Sequence, residues 1–159
     1  MKASTVNELK QELRHLSVSQ LTEICLRLSR FKKENKELLT YILFEAHDER
    51  SYVQSVKKEM EGQFANINSS NIYFAKKTIR KILRITNKYI RYSGAKTVEA
   101  ELLICYCRLL KDADIEFQKS TALVNLYGRQ IEKINKAVKT MHEDLQYDYL
   151  REVKQLNLA

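Results

Sequence analysis

Residues 98–112 read VEAELLICYCRLLKD, and inside them Leu102, Leu103, Ile104, Cys105, Tyr106 and Cys107 form an unbroken apolar run. Consecutive apolar residues cover nearly the whole circumference of a helix, and a helix of that kind is enclosed by its neighbours. The stretch is therefore read as the centre of the core, opened by Thr97 as a cap. It is also far shorter than the ~20 residues a membrane span needs. An enclosed helix requires several others around it, and the flanking sequence has the spacing to supply them.

Apolar residues recur three and four apart almost everywhere, and no stretch sustains the alternation of a half-buried strand. Thr5 and Glu8 have capping-box spacing ahead of Leu9, Leu13 and Leu16, which predicts a short helix over about 6–15. Ser17 and Gln20 repeat the box and open a second helix through Leu21, Ile24, Cys25, Leu28 and Phe31. A third helix, about 34–47, turns Leu38, Leu39, Ile42 and Leu43 inward, and Asp48 caps a fourth, about 49–65, with Val53, Val56, Met60 and Phe64. Residues 66–71 read as a loop, because Asn and Ser bond to their own backbone and compete with the helical ladder. A fifth helix, about 71–93, ends at Gly94, suited to the left-handed conformation. The last segment begins between Asp114 and Ser120. There Val124, Tyr127, Ile131, Ile134, Val138, Met141 and Leu145 make a seven-residue repeat that loses register at Asp148.

Composition agrees. The 159 residues include three glycines, no proline and no tryptophan, where average usage gives roughly 8 prolines and about 11 glycines. Glycine cradles for phosphate, Pro-rich linkers and most turn-rich β architectures are excluded. The expectation is an all-α protein of seven to eight helices without a β-sheet. Its short hairpins begin as an α-α superhelix, closed by longer helices in a helical bundle. With no linker, residues 1–159 are expected to form one domain whose weakest joint is 66–71.

Leu9, Leu13, Leu16-Ser17, Leu21 and Leu28, followed by a basic stretch and Leu38-Leu39, give the order short helix, Leu-Ser, longer helix. This pattern over residues 9–44 resembles the N-terminal helical hairpin of small bacterial all-helical families to which no function is assigned. The resemblance implies an all-helical bacterial protein and carries over no activity and no site residue.

The formal net charge is +8 and the pI about 9.3. Between Glu61 and Glu99 there is no acidic residue, while eight of the 28 basic residues lie there; the others equal the 20 acidic residues in number. The excess charge thus belongs to one segment. At about 100° per residue, Lys76, Lys77, Arg80, Lys81, Arg84, Lys88 and Arg91 fall within roughly 140° of arc. Tyr73 lies within that arc, with Phe74 and Tyr92 at its edge. Such a stripe meets a phosphate backbone through several simultaneous contacts that release counterions, and flanking tyrosines suit stacking on unpaired bases. The plain reading is that helices need a solvated face. Glutamates 59, 61, 99 and 101 are the candidates to neutralise it, and an acidic protein is the further partner that the charge suits.

Chemistry finds little to hold. Glu12 and His15 have the Glu-x-x-His spacing of di-iron bundles, without the second pair that such a site requires. His47 and His142 are scattered, and Cys105 and Cys107 are separated by one residue, pointing different ways on a helix. No nucleophile signature, P-loop or dinucleotide fingerprint is present. No signal peptide opens the chain and three cysteines are too few for a disulfide framework, so reduced thiols in a soluble, cytoplasmic protein are expected. The expected function is a non-catalytic binding or scaffold module without metal or cofactor. Its basic face, about 76–91, contacts nucleic-acid phosphates without base specificity. The alternative is a protein–protein adaptor or homodimer joined by the heptad stripe of about 124–145, although intramolecular packing of that stripe and a monomer are the preferred expectation.

Overall fold

The structure, a computed structural model, describes residues 2–156. Among the described residues there are eight α-helices and no strand. Contacts divide the chain into two compact units, Met1–Phe44 and Glu45–Ala159. The joint lies at 44/45, and the loop over 66–71 is internal to the second unit.

The first unit contains α1 (Val6–Leu13), α2 (Val18–Phe31) and α3 (Lys33–Thr40). Both capping boxes form: Thr5 with Glu8 and Ser17 with Gln20 exchange side-chain and backbone hydrogen bonds, each satisfying free amides of a first turn. α2 and α3 pack together, and Asn35 Nδ2 donates to the Leu28 carbonyl at 2.9 Å. The third helix is shorter than the spacing predicts. It ends at Thr40 and continues as a π-type turn over Tyr41–Glu45. Thr40 Oγ1 donates back to the Lys36 carbonyl at 2.8 Å, a side-chain bond that bends helices and competes with their ladder. No residue of α1–α3 is fully buried.

The second unit contains α4 (Glu49–Ala65), α5 (Ile72–Ser93), α6 (Lys96–Asp112), α7 (Thr121–Val138) and α8 (Glu143–Leu156). A short 3-10 turn, Phe117–Lys119, precedes α7. As the apolar run requires, α6 packs against α4, α5, α7 and α8, in bundle fashion. Leu102, Leu103, Tyr106, Cys107 and Leu110 are wholly out of water. Ile79 and Ile82 of α5, Met60 of α4, Leu123 and Ile134 of α7 and Val153 of α8 complete the core. Each large buried side chain contributes about 1.5–3 kcal/mol of hydrophobic transfer. Tyrosines satisfy their hydroxyls across helices: Tyr127 Oη donates to the Leu156 carbonyl at 2.6 Å, and Tyr106 Oη to that of Ile79 at 3.2 Å.

Two local expectations are corrected. Thr97 does not cap α6; Ala95 takes that position, and the Thr97 hydroxyl donates to Glu49 Oε1 on α4 at 2.8 Å. The C-terminal stripe is not one helix to Leu145. Its break falls at residues 139–142, ahead of Asp148, because Thr140 Oγ1 bonds the Ala137 carbonyl at 2.7 Å and Gln146 Nε2 bonds that of Met141 at 2.8 Å. Side chains there take up carbonyls that a continuing helix would use.

Candidate nucleic-acid interface

The longest helix, α5, carries the charge. Asn71 starts it by accepting from the amides of Tyr73 at 2.9 Å and Phe74 at 3.4 Å. Gly94 stops it: its φ of 69° is left-handed, and its amide donates to the Ile90 carbonyl at 2.9 Å. Between them Ala75, Ile79, Ile82, Thr86 and Ile90 recur at three and four and are buried. α4 and α6 lie against α5, so its orientation is set by packing.

That burial leaves the cations outward. Lys77, Arg80, Lys81, Arg84 and Arg91 are exposed, and Lys76 and Lys88 are half-buried. From residue 76 to 91 the helix rises about 22 Å. Among the described residues, no carboxylate forms an ion pair with Lys76, Lys77, Arg80, Lys81, Arg84 or Arg91. The nearby glutamates have other partners. Glu59 accepts from Tyr89 Oη at 3.0 Å and Gln63 Nε2 at 2.9 Å. Glu99 pairs with Lys96 at 2.7 Å, and Glu101 pairs with Lys57 at 2.8 Å while accepting from Tyr149 Oη at 3.3 Å. Glu61 borders the grooves flanked by Cys105 and by Phe64, away from the stripe. At the C-terminal end, Lys88 Nζ stands 5.3 Å from the Tyr89 ring centre and 5.9 Å from that of Tyr92, within cation–π range.

Two concavities touch the stripe. Tyr73, Lys77, Arg80, Lys81 and Arg84 wall a depression of about 410 Å³ on the outer face of α5. Arg80 also borders an open groove of about 600 Å³ along α7, where Asn125, Gly128, Arg129 and Glu132 lie. Arg129 is a cation that the sequence pattern does not assign to this surface. It joins Arg80 through the packing of the helices, which no spacing within one helix reveals.

The heptad stripe is mostly internal. Tyr127, Ile134 and Val138 are buried, Val124, Ile131 and Met141 half-buried, and Leu145 exposed. α7 packs on α6 and α8, so this stripe contributes to its own unit's core. Among the described residues, no three His, Cys, Asp or Glu side chains converge as a metal set. Burial raises both Cys105 and Cys107, the latter up to about 12, which keeps these thiols protonated and unreactive at neutral pH. No helix among the described residues is long and apolar enough to cross a membrane. Comparison of the chain with protein-family models, with curated proteins and with solved structures finds no match.

Proposed function

We propose that this chain is a non-catalytic helical module whose α5 face binds nucleic-acid phosphates without reading bases. The observation that carries the proposal is the state of Lys77, Arg80, Lys81 and Arg84. They are exposed, adjacent on one face, and without a carboxylate partner among the described residues. A merely solvated face needs no such segregation, since mixed charges three and four apart stabilise a helix while like charges weaken it. A polyanion supplies the missing counter-charge, and its phosphates release condensed cations as they bind.

The test is binding to DNA and RNA, single-stranded and duplex, across a salt series. Affinity falls steeply with salt, with a slope of about −0.9 per phosphate contacted on duplex DNA. Changing Lys77, Lys81, Arg84 and Lys88 together to glutamine abolishes binding while the helical circular dichroism signal persists. Absence of binding to every form at about 50 mM salt defeats the proposal.

A second reading, a protein–protein adaptor, has its own support in the first unit. Val6, Val18, Phe31, Leu43 and Phe44 are all more than half exposed, and exposed apolar side chains in such number suit a protein partner. Sedimentation across concentration tests self-association: a strict monomer removes the homodimeric form of this reading.

A further inference from the structure

We infer that the α5 face takes a single strand of nucleic acid in preference to a duplex, with an unpaired base stacked on Tyr73. This rests on the phosphate-binding reading and names the form of nucleic acid that the same surface accepts.

Tyr73 lies one helical turn before Lys77 and shares the depression walled by Lys77, Arg80, Lys81 and Arg84. Its side chain is 71% exposed, and that of Phe74 is 52% exposed. The two rings meet edge-to-face, with centroids 5.6 Å apart and planes at 78°. Phe74 therefore braces Tyr73 while leaving most of it open. The Asn71 side chain fixes the backbone beneath both rings by accepting from both amides. Five other tyrosines of the second unit work for the fold: the hydroxyls of Tyr52, Tyr89, Tyr106, Tyr127 and Tyr149 all donate to groups of other helices. Tyr147 on α8 is as exposed as Tyr73 but is not among the residues that wall the cationic depression. Among the described residues, no hydrogen bond engages the Tyr73 hydroxyl.

A duplex hides the faces of its bases and offers this surface only phosphates, to which an aromatic ring adds little. A single strand offers both, and every base has a face that stacks on tyrosine whatever its identity. Aromatic ring and cations together in one concavity thus fit an unpaired nucleotide, with the base on Tyr73 and the phosphate among the four cations. Stacking on a tyrosine ring tolerates any base, and the cations answer to phosphate charge, which fits binding without sequence preference.

The experiment measures fluorescence anisotropy of a labelled mixed-sequence DNA of about 20 nucleotides, alone and annealed to its complement, at about 50 mM salt. The single strand binds more tightly than the duplex. Tyr73→Ala weakens single-strand binding about tenfold and leaves duplex binding unchanged, whereas Tyr73→Phe retains the single-strand affinity because the ring remains. If both forms bind equally and Tyr73→Ala alters neither, or both alike, the single-strand inference is overturned while the phosphate reading stands. If neither form binds, the phosphate reading fails and this inference goes with it. The exposure of Tyr73 leaves the core intact in both variants, which circular dichroism checks.

Discussion

The Tyr106 hydroxyl donates to the Ile79 carbonyl at 3.2 Å, tying the enclosed helix α6 to the helix that carries the cations. Both residues are wholly buried, and the Tyr106 ring meets Phe64 of α4 edge-on at 5.5 Å. Tyr106→Phe deletes the hydroxyl alone and lowers stability by about 1 kcal/mol. Tyr106→Ala also empties the ring's volume and lowers it by about 3–5 kcal/mol. Urea unfolding measures both, and an equal effect of the two substitutions contradicts the assignment of Tyr106 to the core contact.

Two glycines respond oppositely to the same substitution. Gly94 holds φ 69° at the end of α5, where a Cβ is strained although space is open. Gly94→Ala lowers stability by about 1–2 kcal/mol. Gly128 stands within α7 in helical conformation, and nothing lies within 4 Å of where its Cβ would be. Gly128→Ala raises stability by about 1 kcal/mol through helix propensity. Thermal unfolding of the two variants shows shifts of opposite sign.

What was legible in the sequence follows from the range of each interaction. The boxes at Thr5 and Ser17 join residues three apart, so their spacing is the whole of their signal. The enclosure of α6 shows because Leu102 to Cys107 leaves no polar face. The cationic arc of α5 likewise lies on one helix and follows from rotation per residue. Thr97 misleads because its hydroxyl reaches Glu49, 48 residues away, instead of a local amide. The ends of α3 and α7 turn on side-chain bonds from Thr40 and Thr140, whose alternative, pointing to solvent, reads the same in sequence. Arg129 escapes for the reason Thr97 does: its neighbour Arg80 belongs to another helix.

Alkaline pH lowers the stability of the second unit in two stages. Burial pushes the Cys107 thiol from its ordinary 9.0 up to about 12 and the Tyr127 hydroxyl from 10.0 up to about 12, and it raises Tyr106 as well. Below pH 9 these groups are protonated in both folded and unfolded chains and add no slope. Above 9.0 the unfolded chain releases the thiol proton while the folded chain keeps it, so stability falls as pH rises. The tyrosines add to the fall above 10.0. Cys105, raised by the same burial, shares the first stage, so Cys105→Ala combined with Cys107→Ala removes it and leaves the second. Urea titrations at stepped pH measure this, and a decline that begins at the same pH in both proteins contradicts it.

The cationic stripe weakens the fold that displays it. Lys77 has Arg80 and Lys81 as like-charged neighbours three and four residues on, and Arg84 has the same two behind it. Each such pair destabilises a helix by about 0.2–0.5 kcal/mol, and among the described residues no carboxylate forms an ion pair with them. Changing Lys77, Arg80, Lys81 and Arg84 to glutamine, a comparable helix former, therefore raises stability by about 1 kcal/mol at low salt. Salt screens the same repulsion, so it stabilises the parent protein and narrows its gap from the variant. Thermal unfolding at low and high salt, without any ligand, reads both effects. A variant less stable than the parent at low salt means that these side chains support α5, the behaviour of a solvated face. A variant more stable, and unable to bind, means that the charge is retained at the expense of the fold for what it contacts.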